Sequence, residues 1–157
     1  MCYNIIVSEA PKENIMIYTA LTKKALKLCF EAHKEQVDKA GMPYVFHPFH
    51  LAEQMDDEIS TVCALLHDVI EDTEITLEML NKMCFPKEVI EVLSLLTHDE
   101  TVPYMDYIES IKGHPIAKKV KIADLMHNSD PTRLDSLDDR AIERREKYKQ
   151  ALRILAD

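Results

Sequence analysis

The stretch Leu65-Leu66-His67-Asp68-Val69-Ile70-Glu71-Asp72-Thr73 sets four ionisable side chains into the most apolar part of the chain. Such groups are costly in an apolar run unless they pair or bind a metal. On a helix His67 and Glu71 stand four residues apart, as do Asp68 and Asp72, so the four form one compact patch. His67 and Asp68 are separated by about 100° around the axis and can reach one ion at the helix edge. Glu71 and Asp72 lie one turn further, placed to handle a water held by that ion. A second group is Lys121-Ile122-Ala123-Asp124-Leu125-Met126-His127-Asn128, with Asp124 and Asn128 four apart and His127 between them. A third is His33, on the inner side of a long helical pattern; taken alone it reads more readily as a packed core histidine than as a ligand. A fourth is Tyr44-Val45-Phe46-His47-Pro48, where His47 reads as a brace for a loop rather than a ligand.

Two imidazoles and two carboxylates suit a divalent ion of intermediate hardness, Mn²⁺ or Fe²⁺, better than structural zinc. Four protein ligands leave two octahedral positions for water and substrate. Such an ion lowers the pKa of its water and neutralises charge building on a phosphoryl group. The chemistry expected is therefore hydrolysis of a phosphate ester or anhydride. No Ser/His/Asp arrangement competes for an acyl-transfer reading.

The elements that must carry these residues are helices. Apolar residues recur at helical spacing over 15–39, through Leu21, Ala25, Leu28, Cys29 and Ala32. Gly41 and Pro43 stop that pattern, and Pro48 suits the first turn of the next helix. Asp57 or Ser60 caps the most buried segment, which carries Val62, Cys63, Leu65, Leu66, Val69 and Ile70. Further helices open near Thr76, Pro86, Pro103 and Pro115, and a last one runs over 137–155. The expectation is an all-α fold: a leader over 1–14, then one compact domain over 15–157 with about seven to nine helices.

Composition narrows the functions further. The 157 residues carry 19 Lys plus Arg against 28 Asp plus Glu, a formal charge of −9, and only two glycines, Gly41 and Gly113. A phosphate loop or dinucleotide fingerprint needs clustered glycines, which are missing. A negative surface repels a polyanion, so the expectation is no nucleic acid as partner. Cys2, Cys29, Cys63 and Cys84 show no C-x-x-C spacing. Cys29 and Cys63 read as small core residues. No stretch approaches the roughly 18 apolar residues of a membrane span, so no membrane is expected, and a reduced, cytoplasmic setting is the default. Tyr104, Met105, Tyr107 and Ile108 form either a packed helix or a partner surface; the helix is favoured, and a homo-oligomer is permitted.

Together these segments resemble the HD-domain metal-dependent phosphohydrolases, whose His…His-Asp…Asp order is met by His33, His67-Asp68 and Asp124. The resemblance narrows to the hydrolase domain of the RelA/SpoT family and its small stand-alone alarmone hydrolases. It is carried by Ala32-His33-x-x-Gln36-x-x-Lys39-x-Gly41-x-Pro43-Tyr44-x-x-His47-Pro48, by His67-Asp68-x-x-Glu71-Asp72-Thr73 and by Val120-Lys121-Ile122-Ala123-Asp124-x-x-His127-Asn128. It covers about residues 20–130. The resemblance implies an HD-domain helical bundle with His33, His67, Asp68 and Asp124 as Mn²⁺ ligands. It implies Glu71 and Asp72 as the water-activating pair, and Lys24, Lys39 and Asn128 at the nucleotide substrate. The reaction implied is removal of the 3′-pyrophosphate of guanosine tetra- or pentaphosphate, without synthetase activity. The chain has Asp38, His98 and Asp130 where the family carries basic residues, and Lys34, Lys39, Lys118, Lys119, Lys121 and Arg133 are candidates to replace them. Two other readings stand beside this one: an HD phosphohydrolase acting on another nucleotide or phosphorylated metabolite, and a binding module without catalysis. The Glu71-Asp72 pair speaks against the last, since binding alone needs no base.

Overall fold

Thr19 opens the first helix. Its hydroxyl accepts from the Thr22 amide at 3.1 Å while Thr22 Oγ1 accepts from the Thr19 amide at 2.7 Å, which satisfies two end amides at once. The helix, α1, runs Ala20–His33 in a computed structural model that describes residues 16–133 and 138–157. The leader expected over 1–14, and Leu137 as the start of the last helix, lie outside the described residues.

The end of α1 differs from the sequence expectation, which carried the helix to Lys39. Asp38 Oδ1 accepts from the amides of Ala40 and Met42, at 2.9 and 3.0 Å, and folds the chain into a tight turn. Gly41 takes φ +76° in that turn, a backbone state that a side chain would strain. An isolated bridge between Val37 and Pro43 closes it, so this loop returns Tyr44 towards His33.

Helix α2, Phe46–Glu53, holds Pro48 in its first turn, where the missing amide costs nothing. Helix α3, Glu58–Leu66, is capped by Asp57, whose side chain accepts from the Ser60 amide at 2.8 Å. Every residue from Ser60 to Leu66 is buried. Full burial of each of Val62, Leu65 and Leu66 contributes about 1.5–3 kcal/mol. This helix packs on α1 and α2, and its neighbours further along the chain are α6, Lys87–Leu96, and α8, Pro115–Ser129. It is the central strut.

The sequence led us to expect one continuous helix through Asp72. The structure has two: α3 ends at Leu66 and a single turn, α4, covers Val69–Asp72. Asp68 sits at φ −96°, ψ −5°, in the sparsely populated bridge region rather than in a helical turn. The His67 ring is tied back by Nδ1, 2.8 Å from the Ala64 carbonyl. The adjacent His67 and Asp68 therefore occupy a break between the two helices.

The remaining elements are α5, Leu77–Lys82, α7, Tyr104–Ile111, a short 3-10 turn, Pro131–Arg133, and α9, Asp139–Ala156, which packs across α7 and α8. Nine α-helices and no strand among the described residues make the fold all-α, as expected. Tyr107 and Ile108 are buried, so the Tyr104–Ile108 segment is a packed helix. Cys29 and Cys63 are buried core residues. No helix among the described residues is long and apolar enough to cross a membrane.

Candidate metal centre and cleft

Side chains from α2, the α3–α4 break and α8 converge, with the end of α1 at their edge. His33 is the last residue of α1, His47 lies in the first turn of α2, His67 and Asp68 occupy the α3–α4 break, and Asp124 projects from the middle of α8. His67 Nε2 is 2.9 Å from Asp68 Oδ2 and 3.9 Å from Asp124 Oδ1. His47 Nε2 is 3.2 Å from Asp124 Oδ1 and 3.6 Å from Asp68 Oδ2. One ligand atom each from His47, His67 and Asp124 lies within 4.8 Å of the others, the spacing of a shared ion. The Nε2 atoms of His33, His47 and His67 are all buried without an aligned hydrogen bond. A buried ring nitrogen left without a partner is a donor atom waiting for one. Two or three imidazoles with two carboxylates form a donor set that fits a divalent metal.

The electrostatics agree. Burial alone would lower His67, but the carboxylates of Asp68 and Asp124 outweigh it and raise the imidazole to about 9. Burial would raise Asp68, but His67 overrides it and brings the carboxyl down to about 2. Asp124 is likewise driven far below the usual carboxylate range by Lys121 and the two histidines, against its burial. Asp68 and Asp124 thus favour a positive charge between them, and a divalent ion held by these residues would supply it in place of the proton.

The surrounding bonds fix the geometry. Lys121 Nζ lies 2.8 Å from Asp124 Oδ2, and Asn128 Nδ2 donates to Oδ1 at 2.5 Å. The Tyr44 hydroxyl donates to Asp68 Oδ2. His33 Nδ1 is 2.7 Å from Gln36 Oε1, and the Gln36 amide donates to the Asp72 carbonyl at 2.8 Å, which ties α1 to α4. His47 Nδ1 stands 2.6 Å from His127 Nδ1, with the two rings stacked at 4.9 Å. Glu71 faces the cleft, and its Oε1 accepts from the His98 amide at 2.5 Å. Partial burial pushes the Glu71 and Asp72 carboxyls up.

The cleft has two compartments. A small one, about 210 Å³, lies over Asp68 and Asp124 and includes Glu71, Lys121 and Lys147. A larger one, about 310 Å³, is lined by Asp38, Lys39, Arg133 and Arg144. Tyr44, Asn128 and Tyr148 line both and so join them.

Most of the expected site residues meet here. His67, Asp68 and Asp124 converge, with Glu71 beside them, and Asn128 and Lys39 line the cleft. His33 stands at the edge, its ring 5.1 Å from that of Tyr44. Lys24 does not reach the cleft: its ammonium donates to the Met83 carbonyl and lies over the Phe85 ring at 4.5 Å. It anchors α1 to the turn after α5. Among the substitute cations, Lys34 is paired with Glu31 and Lys119 with Asp56, whereas Lys39, Lys121 and Arg133 face the cleft.

His47 was expected to brace a loop, and the structure puts it inside the cluster instead. Its buried, helix-start position beside Tyr44 was the available signal. Arg144, Lys147 and Tyr148 were also missed. Their spacing of three and four residues on α9 places them on one face, a signal that was legible.

No family model matches the chain. A Xenopus tropicalis protein named guanosine-3′,5′-bis(diphosphate) 3′-pyrophosphohydrolase MESH1 is 32% identical over 122 residues, which cover 69% of this chain and 68% of that protein. A Mycobacterium leprae protein named probable GTP pyrophosphokinase is 33% identical over 133 residues, 75% of this chain. The chain spans 16% of that mycobacterial protein and 63% of the mouse MESH1 protein. A solved structure, described as a metazoan orthologue of SpoT that hydrolyzes ppGpp, matches with a TM-score of 0.72 at 25% identity, over 90% of this chain and 86% of that one.

Proposed function

Because the chain belongs to the RelA/SpoT-type hydrolase family of its MESH1 relatives, we propose that it removes the 3′-pyrophosphate of guanosine tetra- or pentaphosphate, leaving GDP or GTP. The observation that carries this reading is the buried His67, Asp68 and Asp124 cluster opening into a cleft edged with basic side chains. Among divalent ions the proposal names Mn²⁺, and the setting it names is the cytoplasm, on the cysteine pattern.

His67, Asp68 and Asp124 would hold the ion, with His33 as the fourth ligand that the motif order implies. His47 Nε2, 3.2 Å from Asp124 Oδ1 and without an aligned hydrogen bond, is placed to serve the same ion as a further ligand. When bound, the ion supplies positive charge against the phosphoryl oxygens and acidifies a water. The residues do the rest. Glu71, with its carboxyl raised by burial, is suited to take a proton from the attacking water near neutral pH. Asp72 stands one residue on as its partner. Water attack on the ribose-linked phosphorus breaks its bond to the 3′-oxygen, which leaves with the nucleoside and takes up a proton. Lys121 and Lys147, lining the small compartment, oppose the negative charge of the pyrophosphate under attack. Asn128 and Lys39 border the path taken by the nucleoside.

The rival reading, another nucleotide as substrate, rested on the acids at 38 and 130. Asp38 uses its oxygens on the Ala40 and Met42 amides and on Arg133, and Asp130 Oδ1 accepts from the Thr132 amide and hydroxyl. Asp38 is thus committed to the turn and to Arg133, a cation of the same wall, and this supports the alarmone reading. The test is a nucleotide panel assayed with Mn²⁺, reading orthophosphate and pyrophosphate separately. Pyrophosphate release from guanosine tetraphosphate, abolished by Asp68→Ala, is expected. No turnover of that substrate, or a better non-alarmone one, overturns the proposal.

A further inference from the structure

Arg133 is held where a flexible arginine has no need to be held. It closes the 3-10 turn after α8, and its side chain is 22% exposed. Its Nη1 donates to Asn128 Oδ1 at 3.1 Å and to the His127 carbonyl at 3.2 Å, and its Nη2 donates to Asp38 Oδ2 at 3.3 Å. A guanidinium has five N–H donors in a fixed fork, so these three bonds orient the group without exhausting it. The partners come from two distant segments, the loop after α1 and the end of α8. Each anchor is itself fixed: Asp38 by two backbone amides, Asn128 by Asp124 of the metal cluster.

The pocket wall around it is built for an anion. Lys39 and Arg144 line the same 310 Å³ compartment, and Lys39 is lowered by burial and by the charge of Arg144, so cations are crowded together there. Of the two acids on this wall, Asp38 has both oxygens engaged by the Ala40 and Met42 amides and by Arg133, and Asp130 uses Oδ1 on the Thr132 amide and hydroxyl. Three cations thus stand against two acids, of which Asp38 is committed to holding one of them. The compartment has the volume of about ten waters at roughly 30 Å³ each, enough for a diphosphate. It opens from the metal compartment past Tyr44, Asn128 and Tyr148. A nucleotide whose 3′-pyrophosphate lay over Asp68 and Asp124 could extend its other end past these three side chains into this compartment.

We propose that Arg133, clamped by Asp38 and Asn128, binds the 5′-phosphate end of the substrate and sets the preference for nucleotides that carry it. The inference rests on the 3′-pyrophosphohydrolase reading above. A planar fork that is oriented beforehand loses less freedom on binding phosphate than an unpaired lysine does. Asp38 acts through Arg133 and is a positioning residue. An acid at position 38 thereby serves anion binding instead of opposing it.

The test compares guanosine 5′-diphosphate 3′-diphosphate with guanosine 3′-diphosphate, which has a free 5′-hydroxyl, using Mn²⁺-loaded protein. Wild type should prefer the first by at least tenfold in kcat/KM. Arg133→Met should cut kcat/KM for the first by tenfold or more, chiefly through KM, and for the second by at most threefold. Arg133→Lys should fall between. Asp38→Asn should act in the same direction, and Asp38→Asn with Arg133→Met should be no worse than Arg133→Met alone. Equal loss on both substrates, or none on either, overturns the assignment while leaving the reaction intact. A wild type that turns over neither substrate overturns the reaction itself, and the inference with it. Unchanged thermal midpoints of the variants separate binding loss from unfolding.

Discussion

Asp124→Ala tests whether one carboxylate holds both the ion site and the local fold. Asp124 is buried, and its Oδ2 sits 2.8 Å from the ammonium of Lys121. At that distance and an effective dielectric near 20 the attraction is about 6 kcal/mol before desolvation is subtracted. Deleting the carboxylate leaves a largely buried ammonium unpaired, a change that typically costs about 3–5 kcal/mol. For a domain of this size that is a fall of roughly 6–20 °C in thermal midpoint. Lys121→Met alone should cost less, because Asn128 and His47 still serve Asp124, at 2.5 and 3.2 Å. The double variant removes both charges, so it should recover at least about 2 kcal/mol of the Asp124→Ala loss. The assay is urea unfolding with chelator and with Mn²⁺. Wild type and Lys121→Met should gain stability from Mn²⁺, while Asp124→Ala and the double variant should not. An Asp124→Ala loss below about 1 kcal/mol, or a double variant as unstable as the sum of the singles, would refute a coupled buried pair.

Three further outcomes are expected. Glu71→Gln should lower kcat by about 10²–10⁴ while Mn²⁺ still raises the thermal midpoint; a rate within threefold of wild type removes Glu71 as the base. The Ala40 and Met42 amides and Arg133 outweigh burial and hold Asp38 below its ordinary 3.8. A carboxyl lower in the folded than in the unfolded state stabilises fully above its unfolded value, and that contribution is lost as pH falls through the folded one. Urea midpoints measured from pH 5 to pH 2 should therefore fall more steeply for wild type than for Asp38→Asn, and parallel curves would count against the turn. Cys84 is exposed, whereas burial pushes the Cys29 thiol up to about 12 and raises Cys63 as well. Iodoacetamide should therefore modify Cys84 in the folded protein, with Cys29 and Cys63 labelled only as it unfolds; peptide mass mapping reads this directly.

The helices were legible in the sequence where burial is one-sided or complete. Val62 to Leu66 could only be a buried strut, and Thr76, Pro86, Pro103 and Pro115 mark starts that the structure keeps to within a residue. The break at His67-Asp68 was not legible, because neither Pro nor Gly marks it. It follows from the side-chain bonds of the cluster. The end of α1 was missed because Asp38 was read as a charge, and its amide bonds to Ala40 and Met42 exist only once the loop is closed. His47 was missed for a related reason: sequence places it 20 residues before His67, and only the packing of α2 on α3 and α8 brings it to Asp124.

A chain of net charge −9 with two glycines looks unsuited to binding phosphate. The structure resolves this by dividing the acids according to what their oxygens face. Asp68 and Asp124 face the imidazoles, where a divalent ion would need anions. Asp38 and Asp130 face amides and hydroxyls of turns, and through those turns they fix the position of a cation, Arg133. Exposed acids such as Glu31, Glu78 and Glu146 pair with lysines on their own helices and add little at their surface positions. Net charge is a far-field quantity, screened over about 10 Å at 0.1 M salt. Within the cleft the nearer groups decide, and those are an ion site and the ammonium and guanidinium groups of Lys39, Lys121, Arg133, Arg144 and Lys147. The scarcity of glycine is compatible with this site: every group at the candidate metal cluster is a side chain on a helix, a helix end or a helix break, so the proposed chemistry would not require a backbone cradle for phosphate.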